Sequence, residues 1–265
     1  MRKPFVMFIL SLTIATTTFN YAVHSEPPQT TSQETQETQE RLMHDTLITS
    51  LSPYIDKAIT QYYGYPKQSA LFWTKILNIK REQQGGYSFT VKLQVRTFEH
   101  AHSSPFGNET MTMSVSPFGV KVISYEHQGD EWEMKIDKFK QELLEDIFRT
   151  FNLDLSSYKK YEYRQLQYLT EQRDDLKSLY SVNEEINNEL NKDIKPPYKN
   201  FVAPFTFVKD EKAYILFKKT DGTNFVYSLL KKNDNKWIVI KKESLQGKEM
   251  PKELLWYMFK RKIDE

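Results

Sequence analysis

The feature that most narrows the fold is a pair of alternating runs. Between Tyr87 and Arg96, Tyr87, Phe89, Val91, Leu93 and Val95 are apolar, while Ser88, Thr90, Lys92, Gln94 and Arg96 are polar. Period two sends the two sets to opposite faces, so the segment reads as a half-buried antiparallel strand. The rhythm returns from Thr110 to Val115, with Met111, Met113 and Val115 as the inward set. Pro117-Phe118-Gly119 then turns the chain into a further strand, Val120 to Tyr125. Before the first run, Gly85-Gly86 marks a turn. Leu71 to Arg81 reads as a strand that is partly buried on both sides near its start.

Such a sheet needs an apolar partner. Asp45 to Gly64 supplies one, with Leu47, Ile48, Leu51, Ile55, Ala58, Ile59 and Tyr62 at helical spacing. Ser52-Pro53 has the form of an N-cap and first-turn proline, which predicts a restart or kink. Gly64 suits a left-handed C-cap and Pro66 stops the helix. Residues 44–128 are therefore expected to form a helix on a four-stranded antiparallel meander. At roughly 85 residues that is a viable domain.

Residues 1–25 read as an export signal: Arg2 and Lys3, then the apolar run Phe5 to Ala15, then small residues before Glu26-Pro27-Pro28. The run is shorter than the about 20 apolar residues of a membrane span. Secretion is expected, with retention by an uncleaved signal as the alternative. Residues 26–43 are dominated by EPPQTTSQETQETQE, which has no apolar residue and is expected to be a disordered linker.

Residues 129–198 are expected to be a helical region. Asp137 to Phe151 is amphipathic, with Asn152 and Asp154 suited to its end. Ser156 to Lys195 carries a thinner stripe, and Ser181 with Glu184 has capping-box spacing, predicting a break there. Residues 199–265 are expected to be a second antiparallel meander. Its strands are Phe205 to Val208, Ala213 to Lys219, Asn224 to Lys231 and Lys236 to Lys241, with turns at Asp221-Gly222 and Asn233-Asp234-Asn235. A closing helix is expected at Pro251 to Lys262, whose basic end Lys260-Arg261-Lys262 follows Trp256, Tyr257 and Phe259. The class is α+β throughout.

Composition excludes several functions. The chain of 265 residues has no cysteine, so disulfides, thiolate catalysis, Cys-ligated zinc and a lipidated cysteine are out. An exported chain without disulfides fits a bacterial exporter, and the Asn108-Glu109-Thr110 sequon is then expected to carry no glycan. A net charge of +2 argues against a nucleic-acid binder. No phosphate-binding glycine loop, G-x-S-x-G elbow or H-E-x-x-H occurs.

The residues between the two alternating runs, Thr97 to Met113, hold the chemistry. His100 and His102, two apart on an extended segment, point the same way and are candidate metal ligands, with Glu99 or Glu109 as a third. His102 and Glu109, with Tyr87 or Tyr125, are candidates for acid–base work at the mouth of a cone-shaped pocket. Pro105-Phe106-Gly107 reads as a turn.

The segment Leu51 to His127 resembles the domain of unknown function 3888 family of small secreted proteins from Gram-positive spore-formers. The matching pieces are Pro53-Tyr54-Ile55-Asp56-Lys57-Ala58-Ile59, Tyr62-Tyr63-Gly64, Lys75 to Arg81 and Gly86-Tyr87-Ser88-Phe89. Thr97-Phe98, Ala101-His102, Pro105-Phe106-Gly107 and Glu109-Thr110 complete them. The resemblance implies secretion and carries no activity. It reaches His102, whereas the family pattern has glycine at the position of His100.

The function expected from these readings is a non-catalytic module that binds an extracellular or cell-envelope partner (a protein, a peptide or a cell-wall component). His102, Pro105, Phe106, Gly107 and Glu109 are its contact residues. No cofactor and no nucleic acid are expected, and the membrane enters only through the signal segment. The alternative is a small hydrolase or isomerase using His102 and Glu109.

Overall fold

The computed structural model describes residues 38–100, 103–191, 203–219 and 221–250. The expected signal at 1–25, residues 26–37 of the expected linker, His102 and the closing helix Pro251 to Lys262 lie outside them, while 39–43, expected to be disordered linker, are helical.

Helix α1 spans Gln39–Tyr63, starting well before the expected Asp45. It buries Ile48, Leu51, Ile55, Ala58 and Ile59, the three- and four-residue stripe read from the sequence. Gly64 ends it at φ 75°, its N–H donating to the Thr60 carbonyl at 2.8 Å. The expected restart at Ser52-Pro53 is not found. Pro53 lies inside one continuous helix, and the Ser52 hydroxyl donates to the Thr49 carbonyl at 2.9 Å instead of capping. An interior proline costs about 3 kcal/mol. Fully buried Leu51 and Ile55 on either side offset that cost.

The first sheet contains β1 (Gln68–Ser69), β2 (Lys75–Arg81), β3 (Phe89–His100), β4 (Ser103–Ser116) and β5 (Gly119–Gly129). The expected four-stranded antiparallel meander is β2 to β5, with its first strand shortened to Lys75–Arg81 and an unexpected two-residue strand, β1, added before it. β1 pairs with the far end of β3, Gln68 opposite Phe98, and β2 pairs with the near end, Arg81 opposite Phe89. A 3-10 turn, Leu71–Trp73, separates them. Leu71 to Arg81 is thus not a strand buried on both sides. It is an edge, and Phe72, Leu77 and Ile79 are exposed.

The turns at Gly85-Gly86 and Pro117-Phe118 are where the sequence puts them. Val91, Leu93, Val95, Met111 and Met113 form one core with the α1 stripe. Tyr87, the first of the alternating set, lies before the strand and is exposed.

Helix α2, Glu131–Phe151, starts earlier than the amphipathic stripe suggests because Asp130 caps it, accepting from the Glu133 N–H at 2.8 Å. Asn152 ends it in the left-handed conformation, as expected. The polar stretch that follows is not helical throughout. It contains β6 (Lys159–Glu162), α3 (Tyr163–Thr170) and α4 (Asp174–Asn191). β6 is four residues long and exists because β7 pairs with it, Lys160 opposite Phe207. The expected break at Ser181 is absent; its hydroxyl donates back to the Lys177 carbonyl at 3.0 Å within α4.

The second sheet runs β10-β9-β8-β7-β6, with β7 at Phe205–Lys209, β8 at Lys212–Lys218, β9 at Thr223–Lys231 and β10 at Trp237–Gln246. Helices cover both faces. Phe139, Leu143 and Ile147 of α2 pack on Phe205, Leu216 and Val226. Leu166, Leu176, Leu179 and Ile186 of α3 and α4 pack on Ala213, Ile215, Phe217 and Leu229. Alternate residues of β8 go to opposite cores, which is why that strand is apolar almost without interruption.

A buried ion pair ties α2 to this sheet. Lys218 Nζ lies 2.7 Å from Asp146 Oδ2, which also accepts from Asn224 Nδ2 at 2.8 Å and the Lys248 N–H at 3.1 Å. Gly247 passes so close that a Cβ there would run into the Asn224 and Asp146 side chains. Burial raises the Asp146 pKa, but the Lys218 ammonium and the other donors outweigh it, and the net direction is down. A depressed acid contributes stability above its unfolded pKa that is lost as pH falls through the folded value. Lys218→Met should therefore lower the unfolding free energy in urea by about 3 kcal/mol, since the buried Asp146 charge keeps its bonds from Asn224 and Lys248 but loses its counter-charge. A loss below about 1 kcal/mol would mean that the pair behaves like a surface one.

Candidate functional site

Glu109 is in phase with Met111 and Met113, so β4 delivers its carboxylate to the inward face, where it is 0% exposed. The elements around it each bring a donor. From the last turn of α1, Tyr63 Oη donates to Oε1 at 2.7 Å. From β3, Thr97 Oγ1 donates to Oε1 at 2.9 Å. From β5, Tyr125 Oη donates to Oε2 at 2.8 Å. His127, directly opposite Glu109 in the β4–β5 register, places Nδ1 3.2 and 3.1 Å from the two oxygens. Four donor groups fill the about four lone-pair sites of the carboxylate.

The space for this cluster is made by glycine. Gly107 and Gly129 face each other across β4 and β5, next to the Glu109–His127 pair. A Cβ on Gly107 would overlap Glu109, Thr97 and Tyr63. One on Gly129 would come within 2.7 Å of Glu133 Oε2.

Outward from Glu109 the network continues. With Nδ1 turned to Glu109, the other ring nitrogen of His127 faces Glu133 Oε2 at 3.4 Å. That approach is not a hydrogen bond, and Oε2 has no hydrogen-bond partner. Glu133 Oε1 accepts from Lys67 Nζ at 2.9 Å. Lys67 is itself buried, 3.4 Å from Glu99 Oε1 and 4.1 Å from the centre of the Tyr63 ring. Arg164 of α3 closes the row on Glu99 Oε2 at 2.8 Å. Gln165 of α3 donates to the Tyr63 carbonyl at 2.8 Å, holding α3 against the end of α1.

Burial, with the Glu109 charge adding, pushes the Tyr63 and Tyr125 phenols far up. Burial also raises Glu133, although Lys67 pulls the other way and Asp137 adds repulsion. Asp130 moves down. Burial opposes this, but bonds from Ser104, the Glu133 N–H and the Phe106 N–H prevail.

A cavity of about 270 Å³ opens on the outer part of this network, with Tyr62, Tyr63, Lys67, His127, Glu133 and Asp137 in its walls. Beside it runs a wider groove of about 630 Å³ past Phe98, Arg164 and Tyr168. Tyr65 and Glu99 line both.

The residues expected from the sequence are distributed differently. Pro105-Phe106-Gly107 is not a turn; all three lie within β4. The β3–β4 ladder extends beyond them to His100 opposite Ser103. Pro105 is buried and lines the cavity. Phe106 pairs with Phe98 in the register and packs its ring edge-on to Trp73, 5.8 Å between centres, while its N–H bonds Asp130 at 2.9 Å.

Glu109 is not at a pocket mouth but sealed beneath one, and its partner is His127. Tyr125 is part of the cluster and Tyr87 is not. His102 lies outside the described residues, and His100 is placed by its backbone alone, at the end of β3. Among the described residues no group of three or more His, Asp or Glu side chains is arranged to hold a metal.

Sequence reasoning missed His127, Glu133 and Lys67. The available signal was phase: a carboxylate in register with Met111 and Met113 needs inward-facing donors, and Tyr125 and His127 alternate on the neighbouring strand.

The site defines an α+β protein with a sealed carboxylate cluster beneath an open, tyrosine-walled cleft. Residues 43–128 match the family described as Protein of unknown function (DUF3888). That stretch contains Tyr62, Tyr63, Lys67, Glu99, Glu109 and His127, while Glu133, Asp137 and Arg164 come from the chain beyond it. No curated protein and no solved structure matches the chain.

The buried phenols give a pH prediction. A raised phenol contributes stability that is complete below the unfolded pKa of 10.0 and is lost as pH rises through the folded value. Near-ultraviolet titration should therefore show Tyr63 and Tyr125 ionising only together with loss of helical circular dichroism. Their ionisation in a still-folded protein would show the cluster open to solvent. Gly107→Ala should cost about 2 kcal/mol in urea unfolding by crowding three side chains at once.

Proposed function

We propose that the protein is a non-catalytic binding module that works outside the cytoplasmic membrane, and that the cleft between α1, β5, α2 and α3 holds its partner. The observation that carries this reading is the division of the network into two zones. In the inner zone the Glu109 carboxylate is fully buried and its lone pairs are taken by four donors. The hydrolase or isomerase reading needs Glu109 to exchange protons with a substrate, and a carboxylate whose lone pairs are all taken is poorly suited to that.

The outer zone is concave, aromatic and charged. Cavity and groove meet at Tyr65 and Glu99, so an extended segment could run from one into the other. Rigid tyrosines with fixed polar neighbours are a common basis for recognition. Location outside the membrane is supported by the sequence of residues 1–25 and by the resemblance of the matched segment to secreted proteins. Among the described residues no helix is long and apolar enough to cross a membrane.

Co-sedimentation with isolated Gram-positive cell walls and with envelope protein fractions tests this. The wild-type protein should pellet with one of them. Tyr62→Ala, which removes a half-exposed wall residue, should reduce the bound fraction about tenfold with little change in melting temperature. A wild-type protein that stays in the supernatant with every fraction would refute the reading.

A further inference from the structure

The apolar stripes that build the first core run past its end. Leu47 still packs with Phe89, Val115 and Val120, but Met43, four residues earlier on the same face of α1, is exposed, as is Leu42. Tyr87 keeps the phase of Phe89 and Val91 and is 76% exposed. Phe118, in the β4–β5 turn, is fully exposed. One exposed apolar residue is ordinary on a protein surface. Several that overshoot one core at the same end form a patch, and patches mark contact surfaces.

These side chains stand at one level. From the cluster where Tyr63, Thr97 and Glu109 meet, the end of β4 is about 23 Å away and the start of β3 about 26 Å, at roughly 3.3 Å per residue. Along α1, Met43 is about 30 Å from Tyr63. The β2–β3 and β4–β5 turns are two strands apart, about 10 Å across the sheet. The chain also enters at this end, since residues 26–38 lead from the expected export signal into the start of α1.

We infer that this rim docks on the surface of a lipid bilayer, with Phe118, Tyr87, Met43 and Leu42 set into the headgroup layer. Apolar tips at a common height suit a flat surface, whereas a protein groove would take one protruding element. Aromatic rings favour the membrane–water interface, and an amphipathic helix end enters it by about 5–10 Å. Behind the tips, Lys80, Arg81, Lys121 and Arg41 are nearly offset by Glu40, Asp45 and Glu82. Apolar insertion therefore supplies most of the affinity, and a strongly anionic surface is not required. An exported chain has a bilayer beside it as it emerges, and an uncleaved signal would keep that bilayer at the end where α1 begins. The cleft, at the opposite end of the first sheet, then faces away from the membrane.

Quenching by vesicles of phosphatidylcholine and phosphatidylglycerol with brominated acyl chains tests this, because bromine quenches tryptophan that enters the bilayer. The full chain is compared as Phe118→Trp and as Gln68→Trp, an exposed position at the far end of the sheet. The fluorescence added by Phe118→Trp should fall about twofold with vesicles, and that added by Gln68→Trp should not change. The reading is made at one side chain, so it holds whether or not the signal segment also binds lipid. Met43→Asp with Tyr87→Asp, combined with Phe118→Trp, should abolish the quenching by placing charge in the apolar layer, with the melting temperature unchanged at two exposed sites.

No quenching of Phe118→Trp, equal quenching at both positions, or quenching that survives the double substitution would overturn the inference. A Phe118→Trp emission already shifted to the blue without lipid, in protein that sediments as a dimer, would assign the rim to a second copy and overturn it as well.

Discussion

The first half of the molecule is assembled around one carboxylate. Taking Glu109 out of water costs several kcal/mol unless its oxygens are fully engaged. Engagement requires the last turn of α1, the far end of β3 and two residues of β5 to arrive at one place. Slipping β5 by one residue would turn Tyr125 and His127 to the other face and leave the carboxylate bare. The cluster therefore selects register and helix position together, which a purely apolar interface of Ile, Leu and Met would specify less sharply. Gly107 opposite Gly129 belongs to the same device, since a side chain on either would occupy the space of the carboxylates.

Helix α2 carries that logic to the second sheet. Near its start, Glu133 reaches Lys67 and faces His127; near its end, Asp146 holds Lys218, Asn224 and the backbone of Lys248. The two carboxylates differ in how far they are satisfied. Asp146 Oδ2 is surrounded by donors and its pKa falls, while Glu133 keeps an unpaired oxygen beside a cavity and its pKa rises with burial. Structural ion pairs are expected to look like the first. The second keeps one oxygen without a hydrogen bond, facing His127 Nε2 at 3.4 Å.

The segment that matches the family ends before α2 begins. The sealed cluster is built wholly within that segment. The open cleft is not, because Glu133, Asp137 and Arg164 belong to α2 and α3.

The sequence by itself determined the α+β class, the α1 stripe, the alternation of β3 and β4, the turns at Gly85-Gly86 and Pro117-Phe118, and the absence of disulfide chemistry. These are local properties, written in spacing and in residues with restricted backbone freedom. Tertiary structure decided the rest. Pro53 stays inside a helix because buried neighbours outweigh its cost, and β6 is a strand only because β7 pairs with it. Pro105-Phe106-Gly107 has the composition of a turn but lies in a strand, since Gly107 is needed where Glu109, Thr97 and Tyr63 converge. The partner of Glu109 is His127, 18 residues away and opposite it in the register, and no short-range pattern encodes such a pairing. A buried charge shows in the sequence as an acid in an apolar phase; which donors satisfy it depends on which strands meet, and that is settled only when the chain folds.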